Sequence, residues 1–217
     1  MKMKLFVAVL LMGLLTAGSV FAFGMPSFGG GGKSAPAGDP DAFLVKARAT
    51  ETLVNRSVDQ LAGLLLSKEE KAKIEEEKAA VAKITDPEEK GAALSKIKDS
   101  EIAALQKAND EKKLEARSKQ FDAKQKKQAG AALFNLGLGA LQAADLVQEG
   151  QNLSKSMQSN PMLATKVGSI LASVKSLGGI VSGTAKVISF LPPVFSAAKI
   201  DAPKPSGKDS KPMDVDI

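Results

Sequence analysis

Hydrophobic side chains recur along this chain at helical spacing, and the pattern changes character twice. Val54, Val58, Leu61 and Leu65 follow one another at intervals of four, three and four, which sets them on one stripe of a helix. Asp39-Pro40 starts that helix, with an acid at the N-cap and proline at the first helical position. The pattern carries it to about Leu66. Ser67-Lys68-Glu69-Glu70 fits a capping box and opens a second helix reaching about Ile84. Only Ile74, Val81 and Ile84 interrupt its charge, at a coiled-coil spacing of seven and three. Asp86-Pro87-Glu88-Glu89 marks a third start. Its inner face is Leu94, Ile97, Leu105 and Ala108, after which Gln106 to Gln128 is nearly all polar, with Leu114 and Phe121 one heptad apart. No proline intervenes before Pro161, so the spacing predicts one long polar helix that stands in solvent or pairs through a thin seam.

At Gln128 the character changes. Ala129 to Ala144 carries no charge. Asn160-Pro161 is a fourth capped start, leading to a second apolar helix that Pro192-Pro193 should end at about Leu191. No stretch alternates apolar and polar residues, so no strand is expected. The fold class is therefore all-α: an elongated, coiled-coil-like charged stalk over residues 41–128, then an apolar, small-residue helical hairpin over 129–199. Residues 200–217, rich in Pro, Lys, Asp and Ser, read as a disordered tail.

The two ends of the chain add a destination. Lys2 and Lys4 precede the apolar run Leu5–Leu15, and Val20-Phe21-Ala22 places small residues at −3 and −1. This is the three-part plan of a secretory signal peptide over 1–22, cleaved after Ala22, and its compact form looks bacterial. The protein is expected in the periplasm or the medium. Residues 23–40 form a Gly/Pro/Ser linker.

Composition excludes more than it identifies. The chain has no His, Cys, Trp or Tyr, and nine Phe are its only aromatics. Without Cys there are no disulfides or thiolate metal sites, and without His the commonest general base and metal ligand is missing. Net charge is +6, too weak and mixed to imply nucleic acid. The charge is unevenly spread: residues 40–128 hold 19 basic and 17 acidic side chains, residues 129–199 only five and two.

Two groups of residues stand out as contact surfaces. In the last helix Gly168, Ala172 and Ser176 recur every four residues, and Gly179 and Gly183 form a GxxxG pair. Small residues in such a stripe let two helix backbones approach closely. Gly130, Gly137 and Gly139 offer the same in the preceding helix. Lys112, Lys113, Arg117, Lys119, Lys124, Lys126 and Lys127 form a basic segment abutting the apolar one, as a contact for an anionic surface would. Lys166, Lys175 and Lys186 punctuate the final helix, against membrane spanning. Two apparent motifs fail on context. Gly32-Lys33-Ser34 has Ser27 where a phosphate loop needs glycine, and Ser95-x-x-Lys98 lies mid-helix without a companion K-T-G. Glu75, Glu76 and Glu77 lie on a solvated helix with no pocket to tune them.

The function expected is a structural or adaptor protein of the cell envelope that self-associates or binds an envelope partner. The alternative is a membrane-active or membrane-surface-binding secreted protein acting through the 129–199 hairpin. A holdase-type chaperone fits the charge only. An enzyme is the poorest fit, and no cofactor, metal or nucleic acid is implied.

Overall fold

The computed structural model describes residues 39–157 and 164–215; the expected signal segment, most of the expected linker and the Asn160-Pro161 start lie outside them. Every regular element among the described residues is a helix. The first three begin where the capping residues place them. α1 spans Pro40–Leu65, and the Asp39 carboxylate accepts from the Asp41 amide at 2.9 Å. α2 spans Lys68–Ala82 behind a complete capping box: the Glu70 amide donates to Ser67 Oγ at 3.2 Å and the Ser67 amide to Glu70 Oε2 at 2.7 Å. α3 spans Pro87–Asp110, capped by Asp86, which accepts from the Glu89 amide at 2.8 Å.

The expected long polar helix does not continue. α3 ends at Asp110, Lys112 takes a left-handed conformation (φ 56°), and a short α4 follows over Lys113–Ser118. α5 then restarts at Ala123 and runs to Met157. Asp122 and Gln125 cap it reciprocally, amide to side chain at 2.8 and 3.0 Å. The physical reason for the break is Leu114. A straight helix would carry this lone large apolar residue into solvent, whereas the two bends bring it into the core, fully buried.

α6 spans Ala164–Ala197 and passes straight through Pro192-Pro193, which the sequence pattern takes as its end. The prolines remove the amides that would bond the carbonyls four residues back. Burial of Leu191, Val194, Phe195 and Ala198 holds the last turns in line instead. The helix closes at Lys199, also left-handed (φ 56°), with the Ile200 amide donating to the Phe195 carbonyl at 2.9 Å. This is a Schellman stop with lysine where glycine is usual.

α5 is the axis of the molecule. α1 and α6 both lie along it and touch each other, α2 and α3 pair beside α1, and α4 fits among α1, α3 and α6. One core joins the later part of α1 with α2, α3, α4, the start of α5 and the end of α6. A second lies at the opposite end, around Phe43, Leu146, Leu153, Met157, Ile170 and Leu177. The boundary at residue 128 is thus one of composition. In space the charged half shares its core with the apolar helical hairpin.

Residues 200–215 depart from the expected disordered tail. They lie against α5 as a hook: Asp201 at Gly130, Pro205 at Gly137, Lys208 at Gln142 and Asp145, then a turn over 206–210 and a return to Asn135 at Met213. Hydropathy cannot forecast this segment, because it is held mainly through its backbone.

Candidate functional site

The small-residue stripe of α6 is not where helices meet within the chain. Gly168, Ala172, Ser176 and Gly179 face solvent, and nothing lies within 4 Å of a side chain grown on Gly168 or Gly179. Gly183 alone approaches a neighbour, with Ile102 Cδ1 3.0 Å from where its Cβ would be. The tightest approaches are on α5. A methyl group on Gly139 would collide with Val54 Cγ2, one on Gly150 with Val174 and with the Phe43 ring at 2.6 Å, and one on Gly130 with the Asp201 carbonyl. The glycines of α5 let α1, α6 and the hook close onto it.

As a result the two apolar helices differ sharply in exposure. Both are long and apolar enough to cross a membrane by length and composition, yet the most apolar stretch of α5 is 61% buried and that of α6 only 28%. The outer face of α6 carries Gly168, Leu171, Ala172, Lys175, Gly179 and Lys186, and Leu171 stays 49% exposed.

Of the seven basic residues, Lys113, Arg117 and Lys119 are paired within the chain. Lys112 occupies the left-handed turn, Lys113 pairs with Glu111, and Lys119 pairs with Glu115 at 2.5 Å. Arg117 is structural: it donates to the Leu65 carbonyl at 2.6 Å and meets Glu70 at 3.3 Å, joining the ends of α1 and α2 to α4. Lys124, Lys126 and Lys127 lie in the first turns of α5, near the positive pole of the helix.

One cluster was missed by pattern reading. Glu101, with no solvent exposure, lies between Lys98 at 2.7 Å and Lys78 at 3.0 Å, and Asp59 sits 2.9 Å from Lys98 and 3.2 Å from Lys78. The four charges join α1, α2 and α3. Lys78 approaches Glu101 Oε1 as an ion pair without hydrogen-bond alignment. Burial pushes the Glu101 carboxyl above the ordinary range, with Lys98 pulling the other way and Asp59 adding to the rise. Burial would also raise Asp59, but Lys98 and then Lys78 outweigh it and hold this carboxyl below its usual value. Lys78 loses some affinity for its proton to burial, regains more from Glu101 and Asp59, and ends well above the lysine norm. The signal was available: Glu101 falls in register between Ile97 and Leu105 on the inner stripe of α3.

Among the described residues no group of His, Cys, Asp or Glu could hold a metal ion. A depression of about 360 Å³ opens between α5 and the hook, lined by Leu141, Ala144, Asp145, Gln148, Gly207 and Lys208. It holds one carboxylate, already paired with Lys208 at 2.7 Å, and no nucleophile beside a base. No family model, no curated protein and no solved structure matches the chain.

Proposed function

We propose that this is an exported structural or adaptor protein of the cell envelope that self-associates, and that the solvent face of α6 is its contact surface. The observation that supports this reading is the contrast between the two apolar helices: α5 is covered on several sides, while the apolar stretch of α6 is 28% buried. A helix face of Gly, Ala and Ser has little side-chain bulk to hold a second backbone away, so another helix can pack on it closely. α3 and α4 pack on α6 as well, and Gly168, Leu171, Ala172, Lys175 and Gly179 remain exposed beside those contacts.

Sedimentation of the chain beginning at Phe23, over a concentration series, tests the reading. Assembly is expected, and the double change Ala172→Leu, Gly179→Leu should abolish it while leaving helicity intact. A chain that is monomeric throughout would refute self-association. A second reading, peripheral contact with an anionic membrane, is favoured by exposed Lys175 near exposed Leu171, with exposed Lys186 about three turns further along α6. Flotation with anionic liposomes at low salt, lost at high salt, would identify that mode instead.

A further inference from the structure

The hook is bound in an unusual way. Asn135 is 3% exposed, and its side-chain amide reads both backbone groups of one residue: Nδ2 donates to the Met213 carbonyl at 2.7 Å, and Oδ1 accepts from the Met213 amide at 2.7 Å. The Met213 side chain itself is left 39% exposed. Two turns along α5, Gln142 is 6% exposed and donates Nε2 to the Lys208 carbonyl at 3.0 Å. Gly130 makes the notch at the near end, since the Asp201 carbonyl lies where a Cβ would stand. Two buried amides and a glycine notch thus form a groove that recognises the main chain of an extended segment.

The segment that fills it is lightly held. Most side chains from Asp201 to Asp214 are exposed or half-buried, so little apolar burial opposes release. The joint to α6 is strained: Lys199, a residue with a full side chain, sits at φ 56°, a conformation that disfavours L-residues by about tenfold or more. Swinging the hook outward at Lys199 relieves that strain and gives up the bond from the Ile200 amide to Phe195 and the core packing of Ile200, which an exchanged hook restores. Short strained hinges beside an intact acceptor site are the setting in which identical segments exchange between molecules.

We propose that the α5 groove accepts residues 201–213 of a second copy in place of its own, so that paired molecules are joined by reciprocal exchange of hooks. This rests on the self-association reading and adds the means by which the pair is held. An identical hook brings every contact that the groove makes in the single chain, and two hinges relax per pair.

Light scattering over a concentration series, with helicity read in parallel, tests the exchange on four chains: the wild type, Gly130→Val, Lys199→Gly and Gly179→Leu. Gly130→Val fills the notch and should leave a helical monomer. Lys199→Gly keeps all packing but removes the strain that exchange relieves; the association constant should fall by about tenfold per hinge, roughly 100-fold for the pair. An unchanged association constant in Lys199→Gly overturns the exchange, whatever Gly130→Val does. Pairing lost in Gly179→Leu but kept in Gly130→Val and Lys199→Gly retains the α6 contact and overturns the exchange. A wild type that never pairs overturns both.

Discussion

Replacing single glycines by alanine separates the glycines that α5 needs from those that merely weaken a helix. Gly150 faces Val174 of α6 and the fully buried Phe43 of α1, whose Cζ and Cε2 lie 2.6 and 2.9 Å from an added methyl. The Phe43 ring is rigid and enclosed, so Gly150→Ala must shift helices or strain rotamers, at a cost of about 1–3 kcal/mol. Alanine also favours helix over glycine by about 0.8–1.0 kcal/mol. Gly91 of α3 has open space beside it and receives only this second effect. Gly91→Ala should therefore be more stable than wild type by nearly 1 kcal/mol. Subtracting the two variants cancels the propensity gain and leaves the collision, about 1–3 kcal/mol. At about 2–4 °C per kcal/mol for a chain of this size, the two melting midpoints should differ by about 2–12 °C, with Gly150→Ala the lower. Circular dichroism at 222 nm during heating measures both. A Gly150→Ala midpoint that rises as far as that of Gly91→Ala would refute the close approach of three helices at this position.

Glu101→Leu should destabilise by about 1–3 kcal/mol in urea titration, because it removes the fully buried partner of Lys98 and leaves Asp59 to hold it, while Glu101→Gln, whose amide oxygen still accepts from Lys98, should cost less. The pH dependence follows from the two carboxyls. Glu101 holds its proton more tightly folded than unfolded, so its stabilising share is present below the ordinary value of 4.5 and is lost as pH rises through its higher folded value. Asp59 is the reverse: its share is present above 3.8 and is lost as pH falls through its lower folded value. Glu101→Gln should flatten the stability profile above pH 4.5 and leave the acid-side loss, as urea midpoints across pH 3–8 would show. Lys112→Gly relieves a left-handed lysine and should raise stability by about 0.5–1 kcal/mol, net of the freedom that glycine adds to the unfolded chain. Asn135→Ala should speed exchange of the Met213 amide hydrogen, with the amides of α6 unchanged, because it removes both clamp bonds.

Helix starts were legible because their signals are local. Asp39-Pro40, Ser67 with Glu70, and Asp86-Pro87 each bond within three residues of themselves. The capping pair Asp122 and Gln125 is equally local, but it lay inside a stretch whose lack of proline suggested continuity. The stop at Lys112 and the passage through Pro192-Pro193 are decided by distant burial, of Leu114 and of Leu191 with Phe195, and no local pattern carries that. The small-residue argument named glycines on both apolar helices; within the chain the tightest contacts fall on those of α5. Only the position of Phe43, Val54 and Asp201 reveals which glycines are crowded. Glu101 and the two amides of the groove were overlooked for a shared reason. A polar residue at a core position is meaningful only once its partners are known, and among these are Lys78 for Glu101, Lys208 for Gln142 and Met213 for Asn135, each on another segment of the chain.

The central place of α5 also governs the order in which the molecule can assemble. Thr50 of α1 meets Gln142 across 92 residues, Lys46 meets Glu149 across 103, and Asp41 meets Lys166 across 125. α2 and α3, by contrast, pair across a turn and can form as soon as both exist. Contacts between distant segments must close large loops before they return any stability, which slows folding compared with helical proteins built from neighbours. A chain emerging from its N-terminus therefore presents Phe43 and Ala47, whose core partners lie on α5 and α6, for the whole interval before α5 appears. During that interval the bare stripe of α1 is a target for chaperones, or for the same stripe on another nascent chain.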